Sequence, residues 1–211
     1  LYYYVKNKVV TGIQYIPGYE DEDNTYYYNF DENGVCQGKV TGLFELDGAK
    51  YYATNGKALS GWRMIPNESG TDQYYYFDPE TFQAVTGEQT IDGYSYVFED
   101  CKLVRGDLVK DSGGTHYRWA GEWLCNKWIT IDGKTYYLGY GPNGYAKTGI
   151  FHIYEYEVYY AADKDGVWQN YTGLFDYWGD DYWKAGTYYV ENGITPIEPG
   201  LVKVGDYYYY F

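Results

Sequence analysis

The sequence predicts an all-β fold of tandem β-hairpins stacked into an elongated solenoid. Three observations carry this expectation: tight-turn dipeptides recur, glycines close successive segments, and no long window shows the 3.6-residue apolar period of a helix. The 211 residues include 33 Tyr, 27 Gly and 7 Trp but a single Met. Aromatic side chains fit pleated strands and glycine supplies the positive φ of tight hairpins, so the composition favours β-structure on physical grounds.

A Gly preceded by Thr or Ser closes successive repeats at Gly12, Gly42, Gly61, Gly87, Gly149 and Gly173, with Gly106 and Gly200 closing further ones less cleanly. The irregular intervals read as one short repeat with loops of varying length, because insertion at a loop tip costs only logarithmic closure entropy. The bare repeat is TGLFELDGAKYYATNGKALSGW, residues 41–62. Strands are expected near 43–46 and 49–53, flanking an Asp47-Gly48 turn. The same turn recurs at Asp92-Gly93 and Asp132-Gly133, and a second turn follows the Tyr pair at Asn33-Gly34, Asn55-Gly56 and Asn143-Gly144. A lone hairpin buries only one face, so such repeats persist by stacking, and most tyrosines are expected to be the packing between them.

Residues 26–42 (YYYNFDENGVCQGKVTG), 74–87 (YYYFDPETFQAVTG), 91–106 (IDGYSYVFEDCKLVRG) and 131–149 (IDGKTYYLGYGPNGYAKTG) carry an aromatic pair, a turn and a terminal Gly. In this the chain resembles the cell-wall-binding and glucan-binding repeats of bacterial surface proteins, a family related to choline-binding repeats and to repeats of clostridial toxins. The resemblance implies a hairpin solenoid without catalysis of its own, binding ligands in shallow grooves between neighbouring hairpins at the cell surface or in a secreted protein. Residues 107–130 and 174–186 fit the repeat poorly and are rich in Trp. The expected organisation is therefore a hairpin block over 1–106, an irregular Trp-rich segment over 107–130, and a second block over 131–211 with a Trp-rich insertion near 174–186.

Sixteen basic residues against 30 acidic ones give a net charge of −14. That disfavours nucleic acid and docking on anionic lipid, and no apolar run reaches the roughly 20 residues of a membrane span. The chain starts and stops within Tyr-rich segments, from which we expect a part of a longer multidomain protein. Cys36, Cys101 and Cys125 have neither zinc nor redox spacing and are expected to be buried thiols, with no disulfide pairing implied. His116 and His152 lack partner motifs and read as structural. No catalytic residue, cofactor or metal is assigned: the acidic runs at Glu20–Asp23 and Asp163–Gly166 miss the alternating ligand pattern of a calcium loop.

The expected ligand is a polysaccharide. A sugar asks for a flat ring beneath its C–H face, with carboxylates, amides or Arg to meet its hydroxyls. Two segments offer that mixture: Trp119, Trp123 and Trp128 with Arg118, Glu122 and Asn126, and Trp178 and Trp183 with Asp176, Asp180 and Asp181. The alternative for these tryptophans is packing where the repeat is interrupted. The choline-binding relatives place Trp straight after the terminal Gly. Here only Trp62 follows one of the eight glycines, so at most one isolated choline site is expected, at Trp62. An uncharged polymer such as an α-glucan suits the acidic chain better than a teichoic acid, although screening limits that preference. A cell-wall anchor and a spacer or protein-binding adhesin are the competing readings.

Overall fold

The computed structural model describes residues 1–17, 25–153, 158–177, 185–196 and 200–211. Those residues form 25 strands and no helix, so the all-β, tandem-hairpin expectation is borne out. Every sheet has two or three antiparallel strands, and none closes into a barrel. The chain divides into two compact units, Leu1–Gly106 and Asp107–Phe211.

In the first unit β1 (Tyr4–Val5) pairs with β2 (Lys8–Val9), and β3 (Gly12–Pro17), β4 (Thr25–Phe30) and β5 (Cys36–Lys39) make a meander. Next come the meander β6 (Gly42–Leu46), β7 (Ala49–Thr54), β8 (Lys57–Ala58), the pair β9 (Gly61–Pro66) and β10 (Asp72–Phe77), and the meander β11 (Gly87–Ile91), β12 (Tyr94–Glu99), β13 (Lys102–Arg105). In the second unit β14 (Asp107–Asp111), β15 (Gly114–Trp119) and β16 (Glu122–Trp123) form a meander, followed by the pair β17 (Lys127–Ile131) and β18 (Lys134–Leu138). Then β19 (Gly149–Ile153) pairs with β20 (Val158–Ala162), β21 (Gly173–Tyr177) with β22 (Gly186–Val190), and β24 (Leu201–Val204) with β25 (Tyr207–Tyr210). The short β23 (Ile194–Thr195) adds to the far edge of β20.

The expected strands around Asp47-Gly48 are β6 and β7, and Asp47 and Gly48 sit at φ +52° and +79°, the two left-handed residues of a primed hairpin turn. The six repeat-closing glycines each open a first strand, with φ from +66° to +152°. One joint carries no glycine: Asn126, at φ +51°, precedes β17. Residues 107–123 therefore correct the expectation of an irregular segment. They fold as β14–β16, with the Trp-bearing stretch paired in regular register, Arg118 opposite Trp123 and Trp119 opposite Glu122. Residues 174–177 likewise lie in a hairpin, Asp176 opposite Thr187.

Successive hairpins dock through the glycine of the second turn. A Cβ on Gly34 would collide with the Val9 side chain, one on Gly144 with the Leu124 carbonyl, and one on Gly166 would lie 2.6 Å from the Ala146 Cβ. At these three joints backbone N–H groups donate to the preceding hairpin, Cys36 to the Leu1 carbonyl (2.9 Å), Ala146 to Thr115 (2.6 Å) and Trp168 to Thr135 (2.8 Å), and Ala84 does the same to Lys50 (2.8 Å) at a joint whose second turn has no glycine. Each hairpin thus satisfies backbone groups that it would otherwise leave to water or bury unpaired.

Two second turns share a loop, D-x-x-G-V-x-Q. Asp31 Oδ1 accepts from the N–H of Asn33 and Val35 while Oδ2 accepts from Gln37 Nε2, and Asp163 does the same for Asp165, Val167 and Gln169. The side chain stands in for a backbone acceptor and fixes the turn. Aromatic rings fill the core between hairpins, Tyr96, Phe77 and Phe98 being almost wholly buried. Tyr27 packs between Phe44 and Tyr51, and burial, with help from Tyr51 and Tyr15, pushes its hydroxyl up to about 12. The cysteines depart from expectation: all are free, but Cys36 and Cys101 are half-buried and Cys125 is exposed.

Four aspartates are held below the usual carboxylate range: Asp78 by the Thr81 and Glu80 N–H groups, Asp100 by Lys50, Asp111 by the Gly113 N–H, and Asp165 by Lys110. A depressed folded-state pKa contributes stability above the unfolded value of about 3.9, which is lost as pH falls through the folded value. Titrating down from pH 7 first relieves the self-repulsion of a chain with a pI near 4.4. Melting temperature is therefore expected to hold or rise towards pH 4.5 and to fall below about pH 4. A midpoint still climbing at pH 2.5 would contradict this.

Candidate functional site

Trp62, on β9, packs across a joint. Its ring centroid lies 5.1 Å from Tyr76 on its own hairpin and 4.9 and 5.8 Å from Tyr96 and Phe98 on the next. Trp128 holds the corresponding place on β17, 5.1 Å from Tyr137, 5.0 Å from Tyr160 and 5.5 Å from Trp168, whose Nε1 donates to the Gly193 carbonyl. Trp128 keeps the register of Trp62, with Lys127 where β9 has Gly61 and Asn126 just before it carrying the positive φ, a departure that the Gly-based reading passes over. Rings this close touch one another, whereas an ammonium cage needs open space with each ring within about 6 Å of the cation. Choline is accordingly expected to leave little mark: the protein should pass through a choline-bearing resin without specific retention, and elution only by free choline would contradict the packing described.

The segment 116–123 builds a stack instead of an open platform. His116 is buried, and its ring lies parallel to Trp123 at 3.7 Å between centroids and to Tyr145 at 4.7 Å. The Arg118 guanidinium lies 4.9 Å from the centre of the Trp123 ring. His116 Nδ1 is 3.3 Å from the Asn143 carbonyl oxygen and Nε2 is 3.4 Å from Asp111 Oδ2, which also accepts from the Tyr145 hydroxyl at 3.2 Å. His116 is structural, as read from sequence. Trp119 is half-buried and packs on Tyr117 at the edge of the cluster around Tyr136 and Leu138, while Glu122 is exposed. The structure thus joins Arg118 to Trp123, but places Trp128 in a different aromatic cluster. Trp178, Trp183, Asp180 and Asp181 lie outside the described residues, as does the Glu20–Asp23 run.

Sequence reasoning missed a broad concavity. A groove of about 960 Å³ is lined by the loop 139–149, the starts of β19 and the loop after β20, and Phe175, Asp176 and Tyr177 of β21. Tyr140 stands on its wall 65% exposed. Tyr145 lines it too, so the Trp123–His116–Tyr145 stack ends at its rim. The signal was present in GYGPNGY, residues 139–145, a second turn lengthened by two extra glycines and flanked by tyrosines. Among the described residues no cluster of His, Cys, Asp and Glu is arranged to hold a metal ion.

A hairpin-repeat module with aromatic grooves is the class that this fold and site define. No family model matches the chain. It is 29% identical to Glucosyltransferase-S of Streptococcus mutans serotype c, over 85% of this chain and 12% of that protein, and 27% identical to Glucosyltransferase-I of Streptococcus downei, over 65% and 10%. These relatives bear out the resemblance read from the repeats, and the chain spans only about a tenth of their length. Among solved structures, CbpJ of Streptococcus pneumoniae TIGR4 superposes over 98% of this chain and 87% of its own at 21% identity and a TM-score of 0.37. Alternansucrase in complex with isomaltononaose superposes over 93% and 18% at 24% identity and a TM-score of 0.29.

Proposed function

We propose that this chain is a non-catalytic carbohydrate-binding module of a longer extracellular bacterial protein, secreted or held at the cell surface, and that its ligand is an uncharged glucan. The observation that carries this reading is the lopsided match: most of this chain corresponds to about a tenth of two glucosyltransferases, enzymes whose name places glucosyl units at hand. A stack of thin hairpins supports the absence of catalysis, since it offers little of the dry, preorganised depth that bond-breaking chemistry uses. His116 supports it as well, wedged between Trp123 and Tyr145 where no substrate reaches it. The net charge of −14 favours a neutral chain over a phosphate-bearing wall polymer.

Trp119, Trp123, Arg118 and Glu122, with Trp178, Trp183, Asp180 and Asp181, remain the contacts proposed from sequence, and Trp62 and Trp128 are assigned to packing. Affinity electrophoresis tests the function. Migration should be retarded by dextran cast in the gel and unaffected by polyglycerol phosphate. Equal mobility with and without dextran, or retardation by the polyphosphate alone, would overturn the reading.

A further inference from the structure

Resting on that reading, we infer that the groove bounded by the loop 139–149 and by Asp176 and Tyr177 is the seat of the neutral polymer, with Tyr140 as the ring on which a sugar stacks. Tyr140 is 65% exposed, yet its loop is tied on both sides. The Asn126 N–H donates to the Gly139 carbonyl (3.2 Å), the Gly139 N–H to Tyr145 (2.9 Å), the Ala146 N–H to Thr115 (2.6 Å) and the Lys147 N–H to Tyr137 (2.9 Å). Gly144 is pressed against the Leu124 carbonyl. A ring displayed on a frame already fixed loses little conformational entropy on binding, which separates Tyr140 from exposed tyrosines at the chain ends.

The charges choose the ligand class. Lys147 and Lys164 line the groove together with Asp163 and Asp176, two of each sign in a chain whose net charge is −14. Both Asp163 oxygens are engaged within its own turn, and Asp176 accepts from Thr187 Oγ1 at 2.6 Å. A polyphosphate finds no net positive field there. A quaternary ammonium finds no closed cage, because the groove is wide and its tyrosines are spread along the wall. Hydroxyl groups, which donate and accept, suit ammonium donors beside a carboxylate. The volume of about 960 Å³ exceeds what one sugar ring fills, so the groove suits the middle of a chain.

The test is dextran binding by Tyr140→Ala, Tyr140→Phe and Lys164→Ala, with Tyr207→Ala as control, since Tyr207 is 71% exposed in the same compact unit and away from the groove. Melting curves run alongside, and all three side chains are exposed enough for the fold to survive. Loss of the ring is expected to weaken binding about tenfold, as for a central contact, while Tyr140→Phe stays within about twofold. Lys164→Ala should weaken it by a few-fold, and Tyr207→Ala should bind as the parent. A parent that binds while Tyr140→Ala and Lys164→Ala bind equally well overturns the groove and leaves the module reading standing. A parent that does not bind dextran overturns both.

Discussion

Replacing Gly144 with alanine is expected to lower stability by about 3 kcal/mol or more, whereas the same change at Gly133, one hairpin turn away, should cost about 1 kcal/mol. Both glycines have positive φ, +54° and +74°, so the backbone penalty is common to them. The difference is in what the new methyl group meets. At Gly133 nothing lies within 4 Å, but at Gly144 it would overlap the carbonyl of Leu124 in the preceding hairpin, and backbone cannot swing aside as a side chain can. The chain itself shows that alanine is tolerated in an open turn, for Ala120 sits at φ +50° between β15 and β16. Thermal melts should place Gly144→Ala on the order of 10 °C below the parent and Gly133→Ala only a few degrees below. Equal midpoints would mean that hairpins are not held by close approach at the second turn.

Trp128→Ala is expected to cost about 3 kcal/mol, the low end of the range for truncating a large aromatic in a packed core, because the ring is half-buried. The ring touches Tyr137, Tyr160 and Trp168, and the cluster extends to Phe151 and Ile153, so its removal opens a cavity bounded by two hairpins. Trp128→Phe should recover part of the loss. Urea denaturation gives both numbers, and a Trp128→Ala protein that keeps its midpoint would return Trp128 to the list of exposed binding residues.

The regular part of this fold was legible because its chemistry is local. Asp47-Gly48, Asp92-Gly93 and Asp132-Gly133 mark two-residue turns wherever they stand, and the Thr/Ser-Gly joints fall at first strands because glycine meets the positive φ there. What escaped was either a substitution or a long-range contact. Asn126 does the work of a joint glycine, since Asn tolerates the left-handed region, and Asp100-Cys101 and Ala120-Gly121 make tight turns without the usual pair. The replacements at Ala120 and Asn126 made 107–130 look irregular when it is a hairpin meander running into the next strand. The mixture around Trp119 and Trp123 was read as a platform because spacing along the chain shows which side chains share a strand face, and not which rings come from elsewhere. His116 and Tyr145, seven and 22 residues from Trp123, complete that stack. The groove is assembled from three separated stretches, and only its Gly- and Tyr-rich loop left a trace in sequence.

Chain-length dependence of glucan binding tests the central claim most directly. Shallow aromatic contacts repeated along a module are weak singly and gain strength when one polymer engages several at once. Calorimetric titration of the intact chain with long dextran and with a short isomalto-oligosaccharide should show affinity per ligand chain falling about a hundredfold on shortening, with the melting temperature raised by the polymer alone. Absence of heat and of any melting shift with long dextran, or equal affinity for the two ligands, would contradict a polysaccharide-binding module.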